Sequence, residues 1–199
     1  MTSTIVALEG ASGAGKTTLC AELLKRNPSW IGVPQLTFPR ERDRVTEVVG
    51  NSASDYIALG TAMSYANATV ISDRGFLGGW VYEAYKYGPR ENWRSMFYQS
   101  IENLEDIFHY ELAARWPDLR HVIERPNIHI IILDPTSEQL DKQRYVANKE
   151  YPYDELGLYR SMALQLYGYT NGLHIRISLI PYPLSVETIE GIIKIKEDK

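Results

Sequence analysis

Residues 10–17, Gly-Ala-Ser-Gly-Ala-Gly-Lys-Thr, constrain this chain more than any other stretch. They fit G-x-x-x-x-G-K-[ST], and they stand where that pattern has meaning. A β-branched and apolar run at residues 4–8 reads as a buried strand in front of them, and a helix is expected from Lys16 to about Arg26, ended by Asn27-Pro28. Glycines let the backbone curl so that successive N–H groups converge on phosphate oxygens, while the following helix aims its positive end at the same point. The expected nucleotide-binding set is therefore Gly10, Ala11, Ser12, Gly13, Ala14, Gly15, Lys16, Thr17 and Thr18. Lys16 is expected to bridge the β- and γ-phosphates of ATP, and Thr17 to offer its hydroxyl to Mg²⁺. A plain glycine-rich turn with a solvated lysine would not need these flanks.

The rest of the chain continues the alternation. Strands are expected at residues 33–38, 69–72, 128–133 and 173–180, the first near a sheet edge because it contains Pro34. Helices are expected at 43–50, at 54–67 with Ser54 as its cap, and on either side of Gly88-Pro89 between 77 and 116. More follow at 137–144, 154–169 and 185–196. Strands separated by helices give a five-stranded parallel sheet covered on both faces, a three-layer α/β P-loop fold. At 199 residues one core suffices, so a single domain over 1–199 is expected, with a lid at about 142–153.

Charge narrows the partners. With 21 basic against 25 acidic side chains the net charge is −4, which argues against a broad basic surface for nucleic acid. The lone cysteine, Cys20, leaves no intramolecular disulfide framework or multi-cysteine zinc site. A start without a basic n-region, and no apolar run of spanning length, make a cytoplasmic location and no membrane partner the expectation.

Asp73-Arg74 follows the strand at 69–72, at the carboxyl end of a parallel strand, as the glycine loop does. Asp73 is expected to hold Mg²⁺ through water or to take a proton from the attacking oxygen, and Arg74 to clamp an acceptor phosphate bidentately. A surface ion pair is the competing reading. The polar stretch 145–153 between two helices reads as a flap, with Lys142, Arg144 and Lys149 as its cations and Arg144 favoured as the catalytic one. For any single cation a solvated loop position is the plainer alternative.

Segments 7–18, 36–42, 71–74 and 125–135, in this order and spacing, resemble thymidylate kinases and, more loosely, the deoxynucleoside kinases that share their fold. The resemblance spans nearly the whole chain, although only the glycine loop is individually specific. It implies transfer of the γ-phosphoryl group of ATP to a nucleotide acceptor, most plausibly a pyrimidine deoxynucleoside monophosphate. It further implies that Phe38 lies beside the acceptor, that Arg40 or Arg42 meets its phosphate, and that the chain forms a homodimer. Glu41 would be the base for a hydroxyl acceptor, with Glu9 in reserve.

Three departures qualify the likeness. Ser12 replaces an aspartate that contacts the acceptor sugar; Gly13 and Ala14 leave no loop arginine, which moves the catalytic cation to Arg144; and residues 46–69 are short for two long base-pocket helices. A kinase for a nucleoside or nucleic-acid hydroxyl, and a P-loop ATPase switch, are the alternatives.

Overall fold

A computed structural model describes residues 2–34, 44–119, 124–146, 154–167, 174–181 and 185–194, without the side chains of 44–52, 144–146 and 194. In chain order the elements are β1 (Thr4–Gly10), α1 (Lys16–Arg26), β2 (Ile31–Val33), α2 (Arg44–Ser64), β3 (Thr69–Asp73), α3 (Gly78–Tyr87) and α4 (Trp93–Arg115). A 3-10 turn at Pro117–Leu119 then leads to β4 (Asn127–Asp134), α5 (Ser137–Val146), α6 (Glu155–Tyr167), β5 (Ile175–Pro181) and α7 (Val186–Lys194).

The five strands pair in parallel in the order β2-β3-β1-β4-β5. Side-chain alternation along the strands builds two cores. Ile5, Ala7, Val70, Ile128, Ile130 and Ile132 face a layer that includes α2, α3, α4 and α6. Val6, Leu8, Ile71, Ile131 and Leu133 face α1 and α7 through Leu19, Leu23, Val186 and Ile189. A strand buried on both faces has no polar side to show, which is why β4 reads Ile-His-Ile-Ile-Ile-Leu.

Two expectations are corrected. The second strand lies at Ile31–Val33 instead of 33–38; it stops before Pro34, which has no N–H for a ladder, and residues 35–38 lie outside the described set. Among the described residues it pairs with β3 alone and is an edge strand, as Pro34 suggested. The two helices expected at 43–50 and 54–67 are one helix, α2. Ser54, taken for a cap, is buried in its interior, and Ala58, Leu59 and Ala62 of the same helix join the core.

Candidate active site

The loop after β1 has the curl its glycines were expected to supply. Gly10, Gly13 and Gly15 have φ of 130°, 89° and 86°, in the region that disfavours residues with a Cβ. A Cβ on Gly10 would also come within 2.7 Å of Leu133 O on β4. Ala11 and Ala14 are buried beneath the loop, so they can offer a ligand only their backbone.

Lys16 opens α1 and is buried, its Nζ donating to Gly10 O at 2.6 Å and Ala11 O at 2.9 Å. Burial first, and the Arg74 charge second, bring its pKa down to about 7, against the pull of Glu9, Glu155 and Asp73. A cleft of about 450 Å³ opens beside it, lined by Ser12, Gly13, Gly15, Lys16, Thr17, Thr18, Arg74 and Gln143.

Asp73 ends β3, in register with Leu8 of neighbouring β1, so the strand that leads into the loop also fixes the Asp73-Arg74 turn beside it. Arg74 N–H donates to Leu8 O at 3.1 Å and its carbonyl accepts Ser72 Oγ–H at 2.5 Å. The φ of Arg74 is 81°, a strained value for a side chain of this size that these two bonds hold in place. Its Nη2 donates to Ser12 Oγ at 3.0 Å, which brings the expected acceptor clamp onto the loop. Asp73 is buried, and among the described residues its Oδ1 meets no hydrogen-bond donor. A buried oxygen of that kind, with the Thr17 hydroxyl in the cleft wall, fits a Mg²⁺ reached directly or through water.

Glu9 takes a different part from the reserve carboxylate of the sequence reading. It is fully buried; Oε1 accepts Gly75, Leu77 and Gly78 N–H at 3.1, 3.0 and 3.1 Å, and Oε2 accepts Tyr159 O–H at 3.0 Å. Burial raises its pKa, and the Leu77 N–H is the largest opposing influence. Engaged this way, Glu9 ties the β3–α3 turn and α6 to β1.

Two site residues escaped the sequence reading. Glu155, the buried first residue of α6, accepts Ser12 N–H at 2.9 Å and Ser12 Oγ–H at 3.4 Å. An acid in a first helical turn is ordinary, so nothing in its neighbourhood marked it. Gln143 reaches the cleft wall from α5, and its Oε1 is buried without a hydrogen-bond partner among the described residues. Of the expected lid cations, Lys142 is exposed and pairs with Glu138 at 3.1 Å along its own helix. The Arg144 side chain, Lys149 and residues 147–153 lie outside the described set, as do Phe38, Arg40, Glu41 and Arg42.

A second cavity, of about 280 Å³, lies between α2, α3 and α4. Phe76, Trp80, Met96, Ile101 and Leu104 form its apolar walls, and Asp55, Glu83, Arg90 and Ser100 add polar groups. Phe76 is two residues beyond Arg74, so the turn that reaches the loop continues into this slot.

No protein-family model matches the chain, and no curated protein matches it in sequence. Among solved structures, thymidylate kinase from Ehrlichia chaffeensis aligns with 99% of this chain and 100% of its own, at a TM-score of 0.52 and 13% identity. Deoxyadenosine kinase from M. mycoides aligns with 98% of this chain and 100% of its own, at 0.51 and 15% identity. Five parallel strands, a glycine loop after the first and full-length agreement with both structures give this chain the P-loop fold of the thymidylate and deoxynucleoside kinases.

Proposed function

We propose that the protein is an ATP-dependent phosphotransferase acting on a small nucleotide acceptor, with a pyrimidine deoxynucleoside monophosphate as first choice. The observation that carries this reading is the Arg74–Ser12 bond, which brings a guanidinium to the wall of the glycine-loop cleft, two residues from Phe76 in the wall of a mostly apolar slot of about 280 Å³. Phosphoryl transfer asks for little covalent chemistry; it asks for alignment and for cations where charge spreads. Lys16 and the loop N–H groups hold the triphosphate, Arg74 meets the acceptor phosphate, and the slot between α2, α3 and α4 takes the nucleoside. Mg²⁺, when bound by Thr17 and Asp73, would neutralise phosphate charge. Arg144 stands as the lid cation of this proposal, and Phe38, Arg40 and Arg42 as its acceptor contacts.

A nucleoside hydroxyl is the second reading, favoured by the Asp55 and Glu83 carboxyls in the slot. A hydroxyl must lose a proton to react, and a phosphate need not. No helix among the described residues is long and apolar enough to cross a membrane. A cytoplasmic location and a homodimer belong to the same proposal; Ile107 and Tyr110, exposed on α4, are the side chains a dimer face would use.

The test is γ-labelled ATP with each common deoxynucleoside and 5′-monophosphate. Label on a nucleotide is the expected product. Label released only as inorganic phosphate overturns the kinase reading in favour of an ATPase.

A further inference from the structure

Apolar walls hold a ring without choosing its orientation, so in the slot between α2, α3 and α4 that choice falls to the polar side chains. Three of the four are committed. Glu83 and Arg90 pair at 3.6 Å, and Ser100 gives its hydroxyl proton to Phe97 O at 2.7 Å. Asp55 differs. The Phe76 N–H beside it favours its charged form, yet its Oδ1 is sealed from solvent and meets no donor among the described residues. That oxygen lies 3.0 Å from the point a Cβ on Gly75 would occupy, which puts the carboxyl against the turn that carries Arg74. Buried polar atoms are satisfied as a rule, and one left over at a cavity wall calls for a ligand group.

We propose that Asp55 selects the acceptor, by hydrogen bonding to a hydroxyl or ring N–H of the nucleoside that enters this slot. The inference rests on the kinase reading above. Rotation about Cβ–Cγ is soft for a carboxyl, so the unmet oxygen can turn to the lumen when a donor arrives. Burial first, and the charge of Glu9 second, push the Asp55 carboxyl well above the usual carboxylate range. An unmet oxygen that accepts suits a nucleoside N–H or O–H donor and not a phosphate, which has only acceptors to offer.

The experiment measures kcat and KM with ATP for the wild type, Asp55→Asn and Asp55→Ala. Acceptors are the four deoxynucleosides, their 5′-monophosphates, and 3′-deoxy analogues of the best one. Asparagine keeps the shape of the side chain and can turn an NH₂ toward the slot, so it preserves the local fold while reversing the hydrogen-bond polarity of the unmet oxygen.

Both variants are expected to lose roughly 10- to 100-fold in kcat/KM for the best acceptor, as for loss of one buried hydrogen bond. The loss should lie mainly in the acceptor KM, leave the ATP KM unchanged and alter the ranking of acceptors. If the partner is a sugar hydroxyl, removing it from the acceptor weakens the wild type by the same factor and Asp55→Ala no further. If it is a base N–H, changing the base does so instead. Wild-type acceptor KM and ranking in a folded Asp55→Asn overturn the proposal and leave Asp55 as a cap on Phe76. A wild type that phosphorylates no acceptor overturns the kinase reading, and this inference with it.

Discussion

Lys16 shows how a residue can be plain in type and hidden in state. The motif identifies it, but no spacing rule says that it folds back on Gly10 O and Ala11 O, or that burial and Arg74 lower its pKa to about 7. That value lies below the ordinary 10.5, so between the two the unfolded chain binds the extra proton, and this group adds stability as pH rises through that window. A triphosphate beside the ammonium should pull the pKa up again. ATP binding at pH 8 is therefore expected to take up as much as about one proton per site, read by calorimetry in buffers of different ionisation enthalpy. A binding enthalpy independent of the buffer would sink this account. Lys16→Ala should abolish transfer and leave the circular dichroism unchanged, because the ammonium serves phosphate charge and not the core. Glu9 was less legible than Lys16, because the N–H groups it gathers lie 66 to 69 residues away and only the folded turn brings them to it.

Among elements, the local ones were the readable ones. The helix after the loop spans Lys16–Arg26 as expected, since Gly15 and Asn27 mark its ends within the sequence itself. α2 was misread because Gly50-Asn51 looks like a break and Ser54 like a start. The core contacts of Ala58, Leu59 and Ala62 outweigh propensities on the order of 1 kcal/mol per glycine. Gly60 in that helix gives a test of packing against propensity. A Cβ there would lie 2.7 Å from the ring of Phe108 on α4. Gly60→Ala gains about 1 kcal/mol as a helix former, while overpacking costs about 1–3 kcal/mol. Gly60→Ala should thus lower stability by up to about 2 kcal/mol in urea unfolding, and a rise would mean that Phe108 moves freely. If residues 142–153 form the proposed lid, Arg144→Ala is expected to reduce kcat by about 10³-fold or more, the range for a lost arginine finger, with ATP affinity little changed. Arg144→Lys should restore part of it. A kcat within about twofold in both variants would instead mark Arg144 as an ordinary surface residue.

Across the whole molecule, the candidate site sits at the carboxyl ends of the neighbouring strands β1 and β3. Glu9 of β1 ties the turn before α3 to Tyr159 of α6, and Glu155 at the start of α6 ties that helix to the loop that caps α1. α6 is thus bonded directly to the glycine loop, through a carboxylate on an N–H of the loop that is proposed to face phosphates. Two effects then oppose each other in Glu155. As a strut it orders the loop; as an anion it repels the triphosphate, by about 1–4 kcal/mol for unit charges 4 Å apart at effective dielectric constants between water and a protein surface. Substitutions separate them. Glu155→Gln keeps an oxygen for the Ser12 N–H and removes the charge, so ATP should bind about fivefold or more tightly, at the low end of that repulsion. Glu155→Ala also removes the strut, so it should lower Tm in the absence of nucleotide by about 2–4 °C for each kcal/mol lost. Equal ATP affinity in the wild type and Glu155→Gln, by calorimetry, would leave the carboxylate as a structural tie alone. Weaker binding in Glu155→Gln would reverse the sign and make its charge a part of nucleotide capture, through the pull it exerts on Lys16.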